Sequence, residues 1–341
     1  MTQINGICDF LNQAGTEFKV FDMGRRIEEI NRADFLRFEL GEIPYPLPLQ
    51  QQAWLGFLVW SEDKRSELVI WFLRFPLDTT GKLTSGIRDD FVARLLDKKG
   101  DETPQQDESN PYGFKPKQEH MASFHAKAAK LLEQPASHYY ESTRDYFVGK
   151  TGYDEWQHIG FQGIADIISR LDEDNNAELI SQVLAEIPDQ PFEALTQCLE
   201  HEKINTQLSQ AIVNVITREL GNDNSEANYI SLCIRALSNT QDQTLLELTL
   251  NKILALEIGS HPEILASISG RCWLTLKNNQ TISLFLEALA RCTEGQNFFN
   301  LVIVDLINIP GMQDSIPAAI RLTERSENLS KAIGGLFKSF T

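Results

Sequence analysis

The stretch "TQLSQAIVNVITREL", residues 206–220, carries the reading of the fold. Its apolar residues Leu208, Ala211, Ile212, Val215, Ile216 and Leu220 recur every three or four positions. On an α-helix they form one stripe, whereas on a strand they would scatter over both faces. Working outward, segments of this kind begin near residues 154, 175, 191, 205, 225, 242, 261, 279, 295, 312 and 328. The spacing of roughly 17 residues accommodates an ordinary helix of about 12 and a short loop. Some, such as "TLLELTLNKILAL" (244–256), are apolar around most of their circumference and suit helices packed on two sides. Taken in pairs they make units of about 35 residues, the scale of helical repeat arrays. The expectation is a HEAT-like α-solenoid over 151–341. A compact helical bundle is the alternative, because residue type recurs here and residue letters do not.

Toward the N-terminus the period changes to two. Thr2 can cap a first helix whose apolar residues Ile4, Ile7, Cys8, Phe10 and Leu11 share a face, and Gly15 stands where a left-handed residue ends it. "EFKVFDM", "RRIEEI", "FLRFEL", "AWLGFLVW" and "ELVIWFLRF" are short and rich in aromatic and β-branched residues, with turn clusters such as "SEDKRS" and "DTTGK" among them. They read as an antiparallel meander of about five strands. Helix returns at 87–96. Residues 98–117 have almost no aliphatic side chain to offset their ordering entropy and read as a mobile loop. The chain is therefore expected to be α+β. A sheet domain over 1–97 leads through the loop to a connecting helical segment over 118–150, and then to the repeat domain, with "GKTG" (149–152) as hinge.

The 341 residues, 42% hydrophobic, exceed what one core usually organises, which agrees with two domains. The formal charge of -17 is uneven: 19 basic and 23 acidic residues give -4 over 1–150, while 12 and 25 give -13 over 151–341. A surface of that sign excludes nucleic acid and anionic lipid as partners of the whole molecule. The five cysteines are scattered and form no C-x-x-C, so neither a disulfide framework nor a zinc knuckle is expected, and a reducing cytoplasm fits. No integral membrane span is expected either. The most apolar stretch, "FFNLVIVDLINI" (298–309), is twelve residues interrupted by Asp305 and two asparagines, and reads as a buried helix.

Several chemical motifs fail on a named residue. "VGKTG" lacks the glycine that a phosphate loop needs five residues before Gly149, where Arg144 stands. "DEDNNAELISQV" (172–183) has Ala177 and Val183 where a calcium loop needs glycine and glutamate. His120 and His125 are five residues apart, about 140° on a helix, so one face cannot present both to a metal. Cys198, Cys233, Cys272 and Cys292 lie in apolar stripes and read as small core residues. No catalytic, cofactor or metal residue is assigned on these grounds.

A more specific candidate is "FKVFDMGRRIEEI" (18–30), which bends at Asp22-Met23-Gly24 and puts two arginines straight after the bend. Gly24 is expected to supply a positive φ, with Asp22 as a turn residue beside it. In a following strand Arg25 and Arg26 would point to opposite faces, which argues against a joint anion clamp and for one of them held inward by a carboxylate such as Asp22, Glu39 or Asp78. Downstream, the prolines of "IPYPLPLQQQAW" (43–54) hold the chain extended before a strand containing Trp54. Asp22, Arg25, Arg26, Trp54 and Trp71 are therefore the binding candidates of the sheet domain.

The blocks "FDMGRR", "PYPLPLQQQAWLGFLVW" and "IWFLRFPLD" resemble those shared by an uncharacterised bacterial family, the domain of unknown function 3549 family. The resemblance implies a cytosolic protein of proteobacterial type and brings no reaction or cofactor with it. On the residues alone, the expected function is a non-enzymatic interaction or scaffold protein whose acidic helical array binds a protein partner with a basic segment. The alternative is an enzyme or small-anion binder using Arg25 or Arg26. The C-terminal helix, with Leu329, Ile333, Leu336, Phe337 and Phe340 on one face, is expected to close the array, with peripheral membrane contact as the minor alternative.

Overall fold

The computed structural model describes residues 4–61, 64–97, 110–321 and 324–339. Thr2, Phe340 and residues 98–109 of the expected loop lie outside them. The chain divides into two compact units, one up to Gln118 together with Ile307–Gly311, the other Glu119–Leu306 together with the residues from Met312 onward.

The first unit is built on an antiparallel sheet. Helix α1 (Ile7–Gln13) leads through Gly15, left-handed at φ 68°, into β1 (Thr16–Asp22), β2 (Glu28–Ile30), helix α2 (Arg32–Glu39), β3 (Gln52–Ser61), β4 (Lys64–Pro76) and helix α3 (Ser85–Asp97). The strand order is β2-β1-β3-β4, with Val20 opposite Ile30 and Phe57, and Phe57 opposite Trp71. Period two puts Phe18, Val20, Leu55, Phe57, Trp71, Leu73 and Phe75 on one face, where Phe35 and Phe38 of α2 and Phe91 of α3 cover them. Phe57 meets Phe35 edge-on at 5.4 Å, and Phe75 meets Phe91 edge-on at 5.2 Å.

Two expectations need correction here. "FLRFEL" lies within helix and turn, not a strand: Asn31 caps α2 by accepting from Ala33 N at 2.8 Å, and Phe35 and Phe38 are spaced to share a helical face. "RRIEEI" is strand only over its last three residues. With α2 in place of a strand, the sheet has four strands among the described residues and is not the expected meander, since β3 pairs with β1 and not with β2; residues 112–114 run along the outer edge of β4. Arg74 N donates to Tyr112 O at 2.7 Å and Phe114 N to Phe72 O at 3.2 Å.

The second unit is helical throughout its described length. It comprises α4 (Gln118–Leu131), α5 (Tyr140–Phe147), α6 (Phe161–Ser169), α7 (Asn176–Val183), α8 (Asp189–Leu199), α9 (Thr206–Leu220), α10 (Ala227–Leu237) and α11 (Gln243–Leu254). It continues with α12 (Pro262–Arg271), α13 (Asn279–Arg291), α14 (Gly295–Ile307), α15 (Ser315–Ile320) and α16 (Glu327–Lys338), with short 3₁₀ turns among them. The starts follow from caps in the sequence: Asn205, Asp242, Asn278 and Ser326 each accept a backbone N–H from the first turn they precede. Packing joins next-but-one neighbours, α6 to α8, α8 to α10, α10 to α12, α7 to α9 and α11 to α13, while α16 lies on α13. Leu329, Ile333 and Leu336 of α16 are buried, and Phe337 is 60% exposed. Among the described residues no helix is long and apolar enough to cross a membrane.

Candidate functional site

At the end of β1, Asp22 Oδ2 accepts the backbone N–H groups of Gly24, Arg25 and Arg26 at 2.9 to 3.2 Å, while its Oδ1 accepts from Tyr45 Oη at 2.7 Å. A carboxylate that gathers three successive amides folds the chain around itself, so residues 23–27 form a loop and Arg25 and Arg26 do not alternate as they would in a strand. Gly24 has no positive φ; it is small because a Cβ there would stand 3.1 Å from Trp54 Cδ1. Arg25 is fully buried and donates Nε to Pro48 O at 2.7 Å, and Arg26 is 7% exposed. Trp54 joins this cluster through Met23 N, which donates to its carbonyl, and through its own Nε1, which donates to Leu49 O at 3.2 Å. The structure thus brings Asp22, Arg25, Arg26 and Trp54 together. Trp71 instead sits in the core against Phe57. Burial pushes the Asp22 carboxyl up to about 6 against the pull of its hydrogen bonds.

A second cluster lies in the helical unit. Glu200, directly after α8, is 1% exposed and receives Arg235 Nε of α10 on Oε2 at 2.6 Å. Arg271, the last residue of α12, lies on the same carboxylate, with Nη2 3.2 Å from Oε1. Cations near the C-terminal ends of α10 and α12 also suit the negative end of each helix dipole. Burial alone would raise the Glu200 carboxyl; the Arg271 and Arg235 guanidiniums outweigh it and hold the group well below the usual carboxylate range. Beside it His201, 3% exposed, is pushed well below an ordinary histidine by burial and is neutral, with Nε2 3.5 Å from Glu200 Oε1. His120 in the first turn of α4 brings its ring to 5.1 Å from that of His201. Lys127, two turns along α4, donates to His201 O at 2.7 Å and pairs with Glu202.

One donor atom each from His120, Glu200 and His201 lies within 4.8 Å of the other two. Spacing could not reveal this group, because His120 and His201 are 81 positions apart and are joined by tertiary packing. The local signal was the run Glu200-His201-Glu202 directly after an amphipathic helix, of which Glu200 and His201 are buried.

The surface of the same unit is strongly acidic in one stretch. Residues 154–200 contain eleven acidic side chains and one basic one, Arg170. Arg170 is 4% exposed and turned inward, 3.6 Å from Asp166 and from Glu173, with Nη2 donating to Gln134 O. Glu173, Asp174, Glu178, Glu186, Asp189 and Glu193 are all exposed. A cleft of about 600 Å³ is lined by two of them, Glu173 and Asp174, with Lys130, Ser137, Tyr140 and Arg170.

No curated protein and no solved structure matches this chain. The model of a family described as "Protein of unknown function (DUF3549)" matches residues 2–337, nearly the whole chain, and the chain therefore belongs to that family.

Proposed function

We propose that this protein is a non-enzymatic scaffold whose helical unit is a HEAT-like solenoid and whose acidic stretch, 154–200, receives a basic segment of a partner protein. The observation that carries this is the inward placement of Arg170: the only cation in the stretch is spent internally, so the exposed carboxylates of α7 and α8 keep their field. Packing of next-but-one helices is what stacked helix pairs require, and such stacks offer an extended surface to a partner. Opposite charge would steer the encounter and set its register more than its ultimate affinity.

The test is affinity capture from the native host at about 50 mM salt, comparing the protein with a variant carrying Glu178→Gln, Glu186→Gln, Asp189→Asn and Glu193→Gln. The expected result is a specific protein with a basic segment, recovered by the first and lost by the second, whose affinity falls as salt rises to about 300 mM. Equal recovery by both, or binding indifferent to salt, contradicts the assignment.

A further inference from the structure

We propose that His120, Glu200 and His201 form a site for a borderline divalent transition ion of the zinc class, held by two imidazoles and one carboxylate with a fourth position open to solvent or to a partner. The first argument is distance. His201 Nε2 and Glu200 Oε1 are 3.5 Å apart, too far for a good hydrogen bond, which is made below about 3.2 Å. Yet two donors about 2.0 to 2.1 Å from a tetrahedral metal are separated by roughly 3.3 to 3.5 Å. The donor atom of His120 falls within the same 4.8 Å group.

The second argument is the support of the ligands. Glu200 Oε2 carries Arg235, which orients the carboxylate as an outer partner orients a metal ligand, and Arg271 Nη2 lies 3.2 Å from Oε1 on the same group. His120 is only half-buried, so an ion has a way in. The third argument is selectivity. Two imidazoles and one carboxylate offer too few oxygen donors for hard ions such as magnesium or calcium, while Arg235 and Arg271 repel any dication alike. Two imidazole nitrogens favour zinc, cobalt, nickel or copper in their usual order. The same guanidiniums make the site weaker than a structural zinc centre.

Cobalt(II) added to the full chain tests this, because a tetrahedral ion with nitrogen and oxygen ligands absorbs strongly in the visible range. One equivalent is expected to bind with a tetrahedral spectrum and to be displaced by zinc. His120→Ala and the milder His120→Gln are each expected to weaken binding at least about tenfold with the far-UV circular dichroism unchanged. His125→Ala, on the same helix but outside the cluster, leaves binding unaltered. Absence of saturable one-to-one binding, an octahedral spectrum, or equal affinity in the His120 variants overturns the proposal.

Discussion

Buried carboxylates set the acid response of this protein, and two of them act with opposite sign. Asp22 has its folded value raised from 3.8 to about 6, so its contribution to stability is complete below 3.8 and is lost as pH rises through 6. Asp22→Asn removes that dependence. Urea unfolding should show the variant gaining on the wild type by roughly 3 kcal/mol across the window. Glu200 has its folded value depressed, so its contribution is present above the ordinary value of 4.5 and disappears as pH falls below it. Glu200→Gln leaves two guanidiniums facing a neutral amide and should lower stability by about 3 kcal/mol at neutral pH, the deficit shrinking in acid. How far such residues were legible differs between the two. Asp22 announced itself through the turn dipeptides around it, whereas the partners of Glu200 stand 35 and 71 positions away and are assembled only when α8, α10 and α12 pack.

At the scale of elements the C-terminal half was the more legible, because each helix carries both its stripe and its cap. Asn205 before α9 and Asn278 before α13 mark their helices as clearly as the apolar residues do. The helix α2 reads as a strand although Phe35 and Phe38 are spaced three apart and Asn31 can cap it, because the segment is only eight residues long and lies among aromatic-rich strands. Close approach between helices was equally hidden. Gly163 of α6 is pressed against α5, where an added Cβ would run into Thr143 Oγ1 and stand 3.0 Å from the Tyr139 carbonyl. Gly163→Ala should therefore lower the thermal midpoint through a cost of about 1 to 3 kcal/mol. Thr143→Ala in the same chain should recover part of it, since it removes the nearest obstacle but not the backbone carbonyl.

For the molecule as a whole, a formal charge of -17 means that folding gathers like charges. Added salt should raise the thermal midpoint between about 20 and 200 mM while weakening the proposed partner complex, and these opposite slopes separate self-repulsion from recognition. The order of strands has a further consequence. β4 is a long border strand, and the amide of Arg74 and the carbonyl of Phe72 on its open side are already occupied by residues 112–114. That short length of chain acts as a built-in selvedge. Were it cut away by proteolysis or truncation, an aromatic ribbon would be left able to recruit strands from neighbouring copies, and the first symptom would be fibre formation without loss of helical signal.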